Sequence, residues 1–253
     1  MLQYNTWTIE QNEWNPQQEH AIEQQLTFSN DYLCQTAHFE EHYSGEQRLQ
    51  TFIKGIDASV LNLSAISVRL HNERLDLKEW KVEQFYRCLH KNQPLLERHF
   101  VATSPQGCTL KVIAKRQLMM PQQGLMCLTY EVQSVNYTGP ITILSLLRGG
   151  EDADKWYPLM NYVGDDLCWS WMQLHPMNVQ LCCAMNYQLM KNDMLVTQRP
   201  IKVEKQDVIG FSITQKIVPN DKLVLHKRVT VVDSNHYAKD LLIDEAVRCL
   251  TNW

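Results

Sequence analysis

Glycine is scarce in this chain, at 9 of 253 residues. No Gly/Ser linker interrupts it before residue 233, and it carries no internal repeat or low-complexity tract. It also lacks G-x-G-x-x-G, the P-loop, H-E-x-x-H and G-x-S-x-G, so it holds no sequence signal for a bound nucleotide, a zinc helix or a nucleophile elbow. A basic surplus is missing: the net charge is −4, which speaks against a nucleic-acid partner. No apolar run approaches the ~18 residues that a membrane-crossing helix needs. The opening Met1 to Trp7 has neither the basic start nor the apolar core of a signal peptide. The expectation is a cytoplasmic protein with no membrane partner.

The eight cysteines, at 34, 88, 108, 127, 168, 182, 183 and 249, contain no C-x-x-C pair and no His partner at zinc spacing. Several fall on apolar strand faces, where Cys behaves as a small buried hydrophobe. Eight reduced thiols are expected, with no metal and no cofactor.

What the chain does have is alternation. Hydrophobic residues make up 44% and charged residues 21%, the balance of an ordinary globular protein. Met126, Leu128, Tyr130 and Val132 share one face of a strand, and Ile141, Ile143 and Leu147 one face of the next. The connection Asn136 to Pro140 supplies Gly139 for the turn. Val179, Leu181, Cys183, Met185, Tyr187 and Leu189 keep up the period of two, and Leu223, Leu225, Val229 and Val231 repeat it, with Lys227 the one polar interruption. Further strands are expected through Thr51 to Ile56, ended by Gly55, and through Val60 to Leu63 and Ile66 to Leu70, with a hairpin turn at His71 to Glu73. Residues 1–25 read as an opening strand and a polar turn at Asn15-Pro16. Many strands with almost no helical periodicity predict an all-β sandwich.

The period changes near Ser234. Ala238, Leu241, Leu242, Ala246, Val247, Leu250 and Trp253 fall at helical spacing, with Asp233, Ser234 and Asn235 as candidate caps. One amphipathic C-terminal helix is expected. Its first two turns should dock on the sandwich and its end, Leu250 to Trp253, should be exposed or covered by self-association into a homodimer.

The stretch with the most distinctive wording is Thr27 to Glu41, Thr-Phe-Ser-Asn-Asp-Tyr-Leu-Cys-Gln-Thr-Ala-His-Phe-Glu-Glu. It reads as a strand, a turn at Ser29-Asn30-Asp31, a second short strand through Tyr32 and Leu33, and a polar exit. It resembles the N-terminal signature of glycoside hydrolase family 65, the maltose, trehalose and kojibiose phosphorylases. Glu23, Asn30, Tyr32, Leu33, Phe39, Glu40 and Glu41 fall on that signature. Its glycines are replaced by Ser29, Asp31, Cys34 and Ala37 and its arginine by Thr36, so a different loop path is expected. Later markers follow in order: Asn62 before an apolar strand, then Tyr86, Arg87, Leu89, Leu95, Leu96 and Arg98, then Arg116 and Met120, and a last-strand match from Leu225 to Ser234.

The resemblance implies a super-β-sandwich like that of galactose mutarotase over residues 1–233. Residues 234–253 would then begin a helical linker to a catalytic (α/α)6 barrel that is absent from this chain. That barrel would carry the general-acid Glu and the phosphate site and would be the domain's partner. Read so, the chain is non-catalytic and belongs to carbohydrate metabolism.

Glu40 and Glu41 are adjacent, and adjacent strand residues point to opposite faces, so they are not expected to flank one glycosidic bond. A turn-stabilising or interface role fits them better. Asn30, Tyr32, Phe39, Glu40 and Glu41, with Trp169 and Trp171 on one strand face, are the candidates for interface or sugar contact. Trp156 and Tyr157 join the tryptophans as aromatics that either stack on sugar rings or fill the core. Two alternatives stand beside the domain reading: a free-standing carbohydrate-binding module, and a mutarotase-like aldose epimerase using His99, His175 or His226.

Overall fold

The structure is a computed structural model describing residues 2–47, 50–56, 58–120, 124–149, 152–175, 177–205 and 207–251. The chain opens with β1 (Leu2–Tyr4), β2 (Thr8–Gln11) and helix α1 (Glu19–Gln25). The signature stretch supplies β3 (Phe28–Ser29) and β4 (Leu33–Gln35), followed by β5 (Thr51–Ile53), β6 (Ile66–Leu70) and β7 (Glu73–Arg74). Long strands come next: β8 (Lys81–His90), β9 (Leu95–Thr103), β10 (Thr109–Leu118), β11 (Leu125–Ser134) and β12 (Gly139–Arg148). After them run β13 (Trp156–Val163), β14 (Leu167–Leu174), β15 (Val179–Lys191), β16 (Met194–Leu195), β17 (Ile201–Lys205), β18 (Val208–Ile217) and β19 (Lys222–Asp233). Helix α2 (Leu242–Thr251) closes the described chain.

The strands form three sheets. Eleven make a large sheet, ordered β1-β2-β8-β9-β10-β11-β19-β15-β14-β13 with β16 on β15. A five-stranded sheet, β17-β18-β12-β6-β7, faces it, and β3-β4-β5 make a small third sheet. The alternation read from sequence is what builds the contact. Val112, Tyr130 and Leu225 of the large sheet share one buried cluster with Val68, Ile143 and Ile213 of the five-stranded sheet. A second cluster joins Met126, Val229 and Leu181 to Leu147 and Phe211, and also takes in Ile22, Leu26, Phe28 and Leu33. The signature stretch and α1 therefore cover the part of the inner face that the five-stranded sheet leaves open. This is a super-β-sandwich.

Lys227 keeps its place in the core-facing register of β19. It is 1% exposed and donates to Leu146 O at 2.6 Å and Ala65 O at 3.1 Å. Burial pushes its ammonium down to about 7.

Four expectations need correction. Residues 19–25 form a helix where none was expected, just after the turn at Asn15-Pro16, which Gln18 N closes on Asn15 O at 3.2 Å. The buried stripe is Glu19, Ile22, Glu23 and Leu26, and its two carboxylates disguise an i, i+3, i+4, i+7 pattern that Ile22 and Leu26 alone cannot show. Val60 to Leu63 is not a strand; it touches the sheet through one bridge, Asn62 to Arg148.

The C-terminal helix begins at Leu242, not near Ser234. Asp233 instead holds a turn, accepting from Asn235 N at 2.7 Å through Oδ1 and from Tyr237 N at 3.1 Å through its carbonyl. Ala238 and Leu241 are exposed, while Leu242, Ala246 and Leu250 pack on Leu125, Cys182, Ala184 and Val232 on the outer face of the large sheet. Leu250 is 1% exposed, so the expectation of an exposed end fails as far as that residue; Trp253 lies outside the described residues. Thr230 Oγ1 donates to Ala246 O at 2.8 Å, fixing the helix along its axis.

All eight cysteines are unpaired, with Cys88, Cys168, Cys182 and Cys183 buried. Among the described residues no group of three or more metal-binding side chains occurs.

Candidate functional site

Three arginines occupy positions where the strand period calls for apolar residues. On β8 the inward series is Phe85, Arg87 and Leu89; on β9 it is Leu96, Arg98 and Phe100; on β10 it is Val112, Ala114, Arg116 and Leu118. Arg87 and Arg98 are direct cross-strand partners. On β10, Ala114 stands opposite Arg98, and Arg116 follows two residues on, opposite Leu96. All three arginines are at most 2% exposed. Buried charge must be paired and hydrogen-bonded, and the signature stretch supplies most of the partners.

Arg87 forks onto Glu19, with Nη1 to Oε1 at 2.8 Å and Nη2 to Oε2 at 3.1 Å. It also donates to Gln11 Oε1 at 2.6 Å and to Ala37 O at 3.0 Å. Arg98 donates to both oxygens of Glu41 at 2.6 Å each and, through Nη2, to Glu40. Arg116 Nε lies 2.7 Å from Glu40 Oε1, and its Nη2 donates to His38 O at 2.6 Å. Phe39 lies between the clamps, with the Arg98 guanidinium 4.6 Å and that of Arg87 5.5 Å from its ring centre. Trp14 and Tyr43 close round the same ring.

The expectation that Glu40 and Glu41 point to opposite faces does not hold. The backbone from Thr36 to Gln47 is outside any strand, so the strand rule for neighbours does not apply, and both carboxylates converge on Arg98. Tyr130 Oη also donates to Glu41 at 3.2 Å. Ser29, Asp31, Cys34 and Ala37, which stand where the signature has glycine, all avoid positive φ, so they hold this path without backbone strain. Asn30 makes the turn by itself, accepting from Tyr32 N at 2.8 Å and Leu33 N at 2.7 Å and donating to Met119 O at 2.9 Å.

The clamp tunes its members. Burial favours a neutral Glu40, but Arg116 and Arg98 outweigh it and hold the carboxyl at about 2. His38 is pushed down to about 3 by burial, with Arg116 adding to the effect. It stays neutral and pairs with Ser64 Oγ at 2.8 Å, Thr36 Oγ1 at 3.0 Å and Asn62 Oδ1 at 3.3 Å.

Both shifts make stability fall with acid. An unfolded His38 takes up its proton near 6.5 and the folded one only near 3, so between those values the unfolded chain binds more protons. Glu40 adds stability above its unfolded value of 4.5 and loses it as pH falls towards 2. Chemical denaturation across this range should show the folding constant dropping by up to about tenfold per pH unit for each group. His38→Asn should flatten the limb between about pH 6.5 and pH 4.5; an unchanged slope there would rule out the buried neutral His38.

A second polar knot ties the signature to the end of β19 and the turn that precedes the C-terminal helix. Tyr32 Oη donates to Asp233, which is 0% exposed. His236 Nδ1 meets the same carboxylate at 2.9 Å, and its ring stands edge-on to Tyr32 at 5.3 Å. Tyr32 and His236, with Arg248 and Cys249 of α2, line a cavity of about 270 Å³. Burial and Asp233 raise the Tyr32 phenol far above its usual range.

The other candidates lie apart. Trp169 and Trp171 sit on the outer face of β14, half-buried beside the α2 cluster, and Tyr162 stacks on Trp169 at 5.7 Å. Trp156 is buried and donates to Ser59 O at 2.8 Å, whereas Tyr157 is exposed and meets His175 edge-on. The histidines do not converge. His99 pairs with Glu97 at 2.6 Å on β9 and His226 with Thr129 at 3.3 Å on β19. Two strands separate β9 from β19, a span of about 14 Å. Sequence reading does not single out Glu19, His38, Asp233 or the three arginines as one assembly. The available signal is charge at core parity, most visibly Arg116 between Ala114 and Leu118.

Fold and clamp together define a super-β-sandwich domain whose N-terminal signature is locked to the inner face of its large sheet. The profile of the glycosyl hydrolase family 65 N-terminal domain matches residues 9–252. The chain belongs to that family. It is similar to the alpha,alpha-trehalose phosphorylase of Thermoanaerobacter brockii, at 26% identity over 58% of this chain and 22% of the relative. It is also similar to the kojibiose phosphorylase of Halothermothrix orenii, at 27% identity over 58% of this chain and 20% of the relative. The maltose phosphorylase of Bacillus subtilis matches at 22% identity over 59% of this chain and 22% of the relative. The chain thus spans about a fifth of these proteins. A solved structure named "Putative kojibiose phosphorylase from human microbiome" superposes with a TM-score of 0.85 at 18% identity, over 98% of this chain and 35% of that one. No helix among the described residues is long and apolar enough to cross a membrane.

Proposed function

We propose that this chain acts as the non-catalytic N-terminal domain of a phosphorylase of α-glucosides such as maltose or trehalose, supporting a catalytic barrel carried elsewhere in the same protein. The observation that supports this most is the fate of the signature carboxylates. An inverting enzyme holds two carboxyl groups about 6.5–9.5 Å apart across the scissile bond, with room for the attacking group. Glu40 and Glu41 instead share Arg98, with Glu40 also on Arg116, and both are at most 3% exposed. Their charge serves to fix the stretch from Thr36 to Tyr43 against the sheet. The acid and phosphate-binding groups of the reaction then belong to the barrel.

The isolated chain should release no glucose 1-phosphate from maltose, trehalose or kojibiose in the presence of phosphate. Release proportional to protein concentration, and retained through a second purification, would overturn the reading.

A further inference from the structure

On the outer face of the five-stranded sheet, β6 and β7 place Arg69 and Arg74 as direct cross-strand partners. Their Cβ atoms are therefore about 5 Å apart, and like charges so placed oppose folding. Arg148, at the end of β12, lines the same pocket, as does His42 from the loop after the clamp. The pocket holds about 320 Å³, some ten times the ~30 Å³ share of one water molecule.

All three arginines are exposed, and none has an ion pair among the described residues. Their mutual closeness is also felt electrostatically. Partial burial holds Arg74 below the ordinary arginine value, Arg69 and Arg148 add to this, and Asp76 opposes it. His42 is likewise lowered by burial and then by Arg74, with Arg148 adding, against the opposing pull of the Asp76 carboxylate 3.5 Å from its Nε2.

The negative groups nearby are committed elsewhere. Glu40 and Glu41 also line the pocket but are neutralised by Arg98 and Arg116. Asp76 is 5% exposed and accepts from Ser44 N and Lys78 N. Glu73 points to the other face of β7, onto Ser104 at 2.7 Å. Three guanidinium groups against one carboxylate leave two uncompensated positive charges around an open pocket.

We propose that this pocket is a binding site for a dianionic phosphate group, either free or as the phosphomonoester of a sugar-sized molecule. Guanidinium forks match the oxygens of a tetrahedral oxyanion and hold it by charge-assisted bonds. The occupant would relieve the repulsion between Arg69 and Arg74, which gives it a thermodynamic hold on the folded state. The remaining volume suits the body of an ester. An acidic peptide would instead need a longer basic track than three arginines at one point supply.

The test is thermal unfolding and calorimetric titration of the 253-residue chain with inorganic phosphate and with glucose 6-phosphate, each against potassium chloride at matched ionic strength. Saturable binding is expected, with a Tm that rises with phosphate and not with chloride. Tighter binding of glucose 6-phosphate identifies the ester as the ligand, and equal or weaker binding identifies free phosphate. Arg74→Gln and Arg148→Gln should each weaken binding at least about tenfold, the loss of one charge-assisted bond, while their Tm without ligand stays the same or rises. Lys115→Gln, on the outer face of the large sheet, should bind as the parent does. No saturable binding, an equal shift in chloride, or unchanged affinity in both arginine variants would overturn the proposal. So would binding of an acidic peptide at that site by a protein that takes up neither phosphate probe.

Discussion

Replacing Arg98 with alanine is expected to destabilise the domain by about 3–5 kcal/mol, as removal of one partner from a buried ion pair does. Three features make this the most damaging single change. Arg98 is 2% exposed, so no water replaces it. It is the shared partner of Glu40 and Glu41, so two carboxylates lose their main donor at once. It also lies over Phe39 at 4.6 Å and Phe100 at 5.0 Å, so aromatic packing goes with it. Against a total stability of about 5–15 kcal/mol, such a loss leaves a large unfolded fraction at physiological temperature.

Urea unfolding checks it. Arg98→Lys should fall between parent and alanine variant, since an ammonium keeps the charge but not the fork. Arg98→Met combined with Glu41→Gln should recover part of the loss, because Glu40 keeps Arg116 as its partner and the cost comes mainly from unpaired charge. A change below about 1 kcal/mol in Arg98→Ala, the size of an ordinary surface pair, would mean that the clamp does not hold the signature stretch.

Leu250→Ala is expected to cost about 2–5 kcal/mol, the range for a large-to-small change in a packed site. Leu250 is 1% exposed against Cys182, Ala184 and Val232. The control is on the same terminal segment: Leu241 is 47% exposed, and its alanine variant should lie within about 0.5 kcal/mol of the parent. Urea midpoints of the two variants separate a docked helix from a frayed one. If both behave alike, the last turn of α2 does not pack on the sheet in solution.

The alternation of apolar residues is sufficient to place the long strands. Met126 to Val132, Val179 to Leu189 and Leu223 to Val231 read as strands because their period of two persists and each buries one face. The turn at Asn30 is legible for a local reason, since an Asx side chain bonds to backbone two and three residues on. Helix α1 is not legible, because half its buried stripe is Glu19 and Glu23, and a carboxylate reads as surface until its partner is known. Arg87, Arg98 and Arg116 are visible as separate matches to family markers, but nothing in one dimension says that three strands align them side by side. Strand geometry misplaces Glu40 and Glu41, because the chain there is not a strand.

Residue order alone carries the all-β class, the faces of the long strands and the presence of a C-terminal amphipathic helix. Those follow from local period, which each segment carries on its own. Where charge could be buried depends on how the strands assemble. A guanidinium at a core position is favourable when a carboxylate from far along the chain arrives within hydrogen-bond reach, as Glu41 does for Arg98 across 57 positions. That meeting depends on strand register and sheet order rather than on any neighbouring residue.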